Sequence, residues 1–183
     1  EEEQGLVGSE YYATQAQNAG DSILGVINMD MIAYDGNNDG NADVHTSPIA
    51  NTTSLKDKML EVNLAYGINL DLDVVPAEPY SDHQSFLDHG YGAILLIEDD
   101  NDFHPYYHTV NDLVTHFNNP YFVKSAKLSI GTFVSLALNL NLAIQHSPIA
   151  SMNISQPINT SAFVSTGLTI GTGTASPRLY YRT

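Results

Sequence analysis

Dense hydrophobic runs alternate with segments of helical periodicity along most of the chain. The runs at 23–31 and 93–97 predict buried strands, and 42–46 predicts a shorter one. Asp30 lies near the carboxyl end of the first of these strands. Helices are predicted at about 9–18, 55–66, 81–88 and 120–143. Strands that alternate with helices predict an α/β fold, with a mostly parallel sheet covered by helices on both faces.

The two ends of this region carry more specific expectations. Residues 1–8 predict a strand end that runs into a glycine-containing turn, and Ser9 is expected to cap the first helix. The last helix is expected to run from about Pro120 to Ala143, with its proline near the start.

The composition changes at Ser147. Residues 152–183 are rich in Ser, Thr, Gly and Pro, carry almost no charge and contain short β-prone runs. A segment of about 30 residues is too short to bury a core of its own. We therefore predict an α/β domain over 1–146, and a linker with the opening strands of a β-rich, sandwich-like segment over 147–183.

The chain is strongly acidic, with six Lys and Arg against 21 Asp and Glu and a net charge of −15. Such a surface repels phosphate backbones and anionic lipids, so we expect neither nucleic-acid nor membrane partners. There is no cysteine, which excludes thiolate metal sites, disulfides and cysteine nucleophiles. A cysteine-free chain is compatible with bacterial export, so a secreted or periplasmic protein is expected.

Carboxylates and imidazoles follow the predicted strands. Glu2 and Glu3 precede the first turn, Asp30 ends a strand, and His104 and His108 lie in the loop after the last strand. Chemistry in parallel sheets collects beyond the carboxyl ends of the strands. Carboxylate oxygens and imidazole nitrogens bind catalytic zinc, and a spare Glu can accept a proton. Metal-dependent hydrolysis is therefore the leading interpretation.

Four stretches in sequence order strengthen this interpretation: 2–9, 28–32, 81–86, and 106–109 with Asp112. In these stretches the chain resembles the carboxyl-terminal portion of a secreted zinc aminopeptidase of the M28 type, the bacterial leucyl-aminopeptidase-like family. The resemblance covers residues 1 to about 145. It implies a zinc-exopeptidase domain that holds two zinc ions when intact and acts on peptides with a free amino terminus.

The resemblance also implies roles for individual residues. Glu2 falls at the general base of the family, and Glu3 at a ligand to one zinc. His108 falls at the histidine that joins this Glu, and Asp30 at a ligand to the second zinc. Tyr107 falls where some members place a phenol that stabilises the oxyanion.

Further residues are implied as supports or as absent partners. Ser81, Asp82, His83 and Asp112 fall at positions that orient the ligands or their loops. The family also needs a His and a bridging Asp from a segment upstream of the Glu-Glu pair. We therefore expect this chain to be one piece of a longer protein, with the missing amino-terminal part as its partner. By itself the chain is expected to bind metal weakly.

Each assignment has a simpler alternative. Glu2 and Glu3 can be solvated residues at a chain end, and Asp30 can cap the turn that follows it. His108 can form a hydrogen bond with Asp112 instead of binding a metal. His104 is expected to be structural.

An acidic loop suggests a second cation. Oxygen-bearing side chains alternate, with a glycine at the sixth position, as in the first half of a calcium loop: Asp35, Asn37, Asp39, Asn41 and Asp43. The twelfth position is Thr46, which cannot supply the bidentate carboxylate. Runs of Asn, Asp and Gly also form ordinary turns, and we favour the turn over calcium.

Two other functions remain open. Glutaminyl cyclases and carboxypeptidases share the scaffold that the resemblance implies. A non-catalytic secreted module that binds calcium through the acidic loop is the alternative from a different class.

Overall fold

Four strands form the central sheet, in the spatial order β1-β4-β2-β3. They are β1 (Val26–Met29), β2 (Asn41–Thr46), β3 (Asp71–Pro76) and β4 (Ala93–Glu98). The β1–β4 and β2–β3 pairs are parallel, and the β2–β4 pair is antiparallel. This computed structural model describes residues 2–138, 143–146 and 162–165. The predicted α/β class with a mostly parallel sheet is confirmed.

Four helices connect and cover these strands: α1 (Val7–Ala19), α2 (Thr52–Ala65), α3 (His83–Asp88) and α4 (Asn119–Leu138). Short 3₁₀ turns occur at Glu2–Gln4, Asp100–Asp102 and Val114–His116. In the part of the chain that the structure describes, no helix has the length and apolar character needed to span a membrane.

Strand β4 is the core of the sheet. Its consecutive residues from Ala93 to Leu96 are all buried, so other elements cover both faces of the strand. Leu55 and Met59 of α2 and Leu128 of α4 are fully buried around it. Each such side chain contributes roughly 1.5–3 kcal/mol through the hydrophobic effect.

At the amino terminus the glycine-containing turn is present, but the predicted strand end and the Ser9 cap are wrong. Residues 2–4 form a 3₁₀ turn instead of a strand end, because the Glu2 carbonyl accepts hydrogen bonds from the amides of Gly5 (3.0 Å) and Leu6 (2.9 Å). Leu6 adopts a left-handed conformation (φ 60°), and α1 starts immediately after it. Ser9 lies inside the helix, where its hydroxyl donates to the Leu6 carbonyl at 3.1 Å.

Two other elements differ from the prediction. Strand β3 was not expected, since its sequence Asp71-Leu72-Asp73-Val74-Val75-Pro76 lacks a buried hydrophobic run. As an edge strand of the described sheet it needs little burial, and pairing with β2 defines it. The last helix ends at Leu138, and Ala143, predicted to be helical, begins a strand.

The chain divides into two compact units, Glu1–Ser135 and Leu136–Thr183. In the second unit, β5 (Ala143–His146) and β6 (Ala162–Ser165) form an antiparallel pair. The rest of the linker and sandwich-like segment predicted for 147–183 lies outside the described residues.

Candidate functional site

One cavity of about 650 Å³ brings together the residues that the sequence singled out for chemistry. Glu2, Glu3, Asp30, Tyr107 and His108 all line it. Asp30 directly follows β1, and the loop with Tyr107 and His108 follows β4, which runs parallel to β1. The carboxyl ends of these two strands therefore place both segments at the same edge of the sheet.

Glu3 and His108 meet directly in this cavity. Oε1 of Glu3 lies 2.8 Å from Nε2 of His108, across 105 positions of sequence. Asp112 does not take this place, since its Oδ1 lies 3.7 Å from Nδ1 of His104. The predicted alternative of a His108–Asp112 hydrogen bond is therefore wrong.

The loop after β4 holds His108 in an unusual conformation. His108 has a φ of 56°, in the left-handed region that non-glycine residues rarely adopt. The Tyr107 ring stacks on the His108 ring, with centroids 3.7 Å apart, and meets Phe103 edge-on at 5.1 Å. The Tyr107 amide donates to the His104 carbonyl at 3.1 Å. These contacts fix the direction of the His108 imidazole. Strained backbone conformations such as that of His108 are often found in functional loops.

Asp30 is oriented by Ser81, one of the residues that the resemblance implies as supports. The Ser81 hydroxyl donates to Oδ2 of Asp30 at 2.7 Å and accepts from Nδ2 of Asn28, also at 2.7 Å. Ser81 is buried, so water does not readily replace these bonds. The stretch Ser81-Asp82-His83 was the signal in the sequence for this contact.

The electrostatics of the cavity favour proton uptake at Glu2. Partial burial and then the charges of Asp30, Glu3 and Asp82 raise the pKa of Glu2 above its usual value. Burial and then the charges of Glu3, Glu2 and Asp30 raise the pKa of Tyr107, which keeps its phenol protonated. None of the residues that line the cavity in the described part of the chain is Lys or Arg.

The predicted supporting residues lie in different surroundings. The negative charge of Asp82 is one of the causes that raise the pKa of Glu2. His83 is fully buried, and neither ring nitrogen has a hydrogen-bond partner among the described residues. Its ring lies 6.2 Å from that of His45, a residue that lines the cavity. Burial and then His45 lower the pKa of His83 to about 4.

The acidic loop forms a turn through its own hydrogen bonds. Oδ1 of Asn37 accepts from the Asp39 amide, and Oδ1 of Asp39 accepts from the Asn41 amide, both at 2.9 Å. Nδ2 of Asn118 crosses to Oδ2 of Asp35 at 3.1 Å. Asp43 is buried on β2 and accepts from the Asp100 amide at 3.3 Å. These hydrogen bonds are those of an ordinary turn rich in Asn and Asp.

The donor atoms at Glu3 and His108 fit zinc in kind. A carboxylate oxygen and an imidazole nitrogen are typical zinc ligands, and two ligands of one tetrahedral ion lie roughly 3.3 Å apart. Within the described residues, however, no group of three or more His, Asp or Glu side chains is placed to hold a metal ion. Catalytic zinc usually has about three protein ligands, so Glu3 and His108 alone are too few for such a site.

Several proteins of known identity are similar to this chain. Leucine aminopeptidase 1 of Trichophyton equinum is 29% identical over 140 residues, which are 74% of this chain and 38% of that protein. The crystal structure of the Legionella pneumophila LapA aminopeptidase matches with a TM-score of 0.67 and 26% identity, covering 75% of this chain and 36% of that one. The structure of BSAP, a zinc aminopeptidase from Bacillus subtilis, matches in fold with a TM-score of 0.61 at 20% identity, covering 73% and 33%.

These matches share one property, which is that the chain spans a minor part of each relative. It covers 38% of the length of the curated relative and about as little of the solved structures. The family model described as peptidase family M28 matches residues 1–132, a range that includes every cavity residue named above. The chain belongs to peptidase family M28.

Proposed function

We propose that this chain contributes part of the active site of a two-zinc aminopeptidase, which hydrolyses the first peptide bond of substrates with a free amino terminus. The observation that carries the proposal is the 2.8 Å approach of Glu3 to His108. Glu2, Asp30 and Tyr107 line the same cavity. The further zinc ligands would come from a segment of the same protein outside this chain.

Five of the residues that line the cavity have a role in the proposed reaction. Glu2 accepts a proton from the attacking water and returns it to the leaving amine, a task that its raised pKa favours. Tyr107 keeps its proton and donates a hydrogen bond to the oxyanion. Carboxylates near Asp30 hold the free α-amine of the substrate. Zinc, when bound by Glu3, His108, Asp30 and the further ligands, would polarise the substrate carbonyl as a Lewis acid.

The replacement Glu2→Gln, made in the full-length protein, tests the role of Glu2 as the base. The amide cannot accept the proton, so kcat should fall by about 10²–10⁴ while the zinc content stays the same. Glu10→Gln is the control, because Glu10 is an exposed acid on α1 that does not line the cavity. Near wild-type turnover of the Glu2→Gln protein would remove Glu2 from this role.

Metal analysis and substrate choice test the rest of the proposal. Protein stripped with a chelator should lose activity and regain it with zinc, at two ions per molecule. Aminoacyl anilides should be hydrolysed, whereas peptides with amino-terminal glutamine should not be cyclised. Cyclisation, or release of carboxyl-terminal residues, would move the assignment to the cyclase or carboxypeptidase alternative. Stabilisation by calcium with no effect of zinc would favour the non-catalytic module.

We also propose that the protein acts outside the cytoplasm. The acidic, cysteine-free composition is compatible with this location. Fractionation of the producing cells should find the activity in the medium or the periplasm, and recovery with cytoplasmic markers would contradict the proposal.

A further inference from the structure

A buried carboxylate lies between the two loops that carry the cavity residues, and the proposed reaction does not use it. Glu98 is the last residue of β4, lines the cavity and is only 2% exposed. Burying a carboxylate is costly unless its oxygens have partners. The partners of Glu98 therefore indicate what it does.

Glu98 contacts both loops. Its amide donates to the Met31 carbonyl at 3.0 Å, and Met31 directly follows Asp30. Its Oε1 accepts from the His104 amide at 2.9 Å. The His104 carbonyl in turn accepts from the Tyr107 amide, so two consecutive hydrogen bonds connect Glu98 to Tyr107.

The charges around Glu98 make these bonds its main favourable interactions. Burial raises the pKa of Glu98 to about 7, and the backbone N–H groups of His104 and Tyr34 oppose this increase. Asp102 and Asp112 face the carboxylate and raise its pKa further, and the buried Tyr121 phenol also lies near it. No Lys or Arg contributes to this balance within the described residues.

We propose that Glu98 is a positioning residue whose carboxylate, through the His104 amide, fixes the loop bearing Tyr107 and His108 against the segment that follows Asp30. This inference rests on the proposed function, because it assigns Tyr107 and His108 to the reaction. The backbone hydrogen bond to Met31 does not depend on the side chain, so it remains when the carboxylate is removed. Displacements of about 1 Å at a reacting group can cost about 10² in rate.

The experiment compares Glu98→Ala and Glu98→Gln with the neighbouring Asp99→Asn. Asp99 is a matched control because it is buried, directly follows Glu98 and, among the described residues, has a side chain that bonds only to Asn101. Asparagine caps a turn about as well as aspartate. In the zinc-loaded protein as its cell produces it, Glu98→Ala should lower kcat by about 10–100-fold with little change in KM, since Tyr107 acts in the transition state. Glu98→Gln keeps one oxygen acceptor and should recover part of that loss, and Asp99→Asn should match wild type.

Amide hydrogen exchange gives a second reading that does not need activity. Exchange across residues 99–109 should be at least about tenfold faster in Glu98→Ala and unchanged in Asp99→Asn, because the His104 amide loses its acceptor. If the Ala variant does not fold, the Gln variant decides the matter through kcat and exchange together. Unchanged kcat and unchanged exchange in a folded Glu98 variant would overturn the proposal. A wild-type protein without zinc-dependent peptidase activity would refute the proposed function instead. The exchange comparison would still test whether the Glu98 carboxylate holds the loop through the His104 amide.

Discussion

Removing the hydroxyl of Ser81 tests most directly how Asp30 is oriented in the cavity. This hydroxyl donates to Oδ2 of Asp30 and accepts from Nδ2 of Asn28, each at 2.7 Å. Replacement by alanine removes one oxygen and leaves the backbone of both partners in place. The change therefore isolates the orientation of Asp30 from its presence.

The expected effect follows from the two bonds that are lost. A hydrogen bond to a carboxylate contributes roughly 1.5–3 kcal/mol, and one between neutral groups roughly 0.5–1.5 kcal/mol. Asn28 and Asp30 are only partly buried, so water recovers some of this energy. We expect Ser81→Ala to lower the combined free energy of folding and zinc binding by about 2 kcal/mol. The larger part of this loss should appear as a zinc affinity that is about tenfold weaker.

Ser85→Ala is the matched control. Ser85 is as buried as Ser81 and lies four residues further along, but its hydroxyl pairs with that of Ser9 at 2.9 Å instead of with Asp30. Both variants should lower the melting temperature, whereas only Ser81→Ala should weaken zinc binding in a competition titration with a chelator. An equal loss of zinc affinity in the two variants would refute the reasoning.

Three other predictions concern pH, packing and zinc-linked stability. The pKa of His83 is lowered to about 4 from an ordinary 6.5, so its contribution to folding stability is fully present above about pH 6.5. This contribution, about 3 kcal/mol, should be lost as the pH falls toward 4, so urea titrations should show a weaker acid destabilisation in His83→Leu. Glu98 acts in the opposite direction, because its raised pKa favours folding at low pH and loses that effect toward pH 7, so a wild-type pH profile alone does not test His83. Gly92→Ala should lower the free energy of unfolding by about 1 kcal/mol, since a Cβ there would lie 2.0 Å from Oδ1 of Asn51 and displace the side chain that donates to the Leu24 carbonyl; an unchanged melting temperature would contradict this reasoning. Zinc should raise the melting temperature of wild-type protein and raise it less in His108→Gln, and equal shifts would remove His108 from the ligands.

Local patterns in the sequence determined much of the fold. The hydrophobic runs that contain β1 and β4 are visible because both strands are buried, and the helices carry recognisable boundaries. Strand β3 is invisible to the same reasoning, since its residues are mostly exposed and only pairing with β2 makes it a strand. The first turn was mistaken for a strand end because its geometry depends on a backbone carbonyl, that of Glu2, and not on a side-chain pattern.

The sequence also predicted which residues belong together, since four stretches in order resemble the M28 family, and Glu2, Glu3, Asp30 and His108 line one cavity. Only the tertiary structure decided which atoms meet. The Glu3–His108 contact spans 105 positions, the Ser81–Asp30 bond spans 51, and the burial of Glu98 depends on loops that close over it. Hydrophobic periodicity encodes which face of an element is buried, but it carries no information about which polar atoms lie within 3 Å across a folded loop. Those distances depend on packing summed over the whole unit.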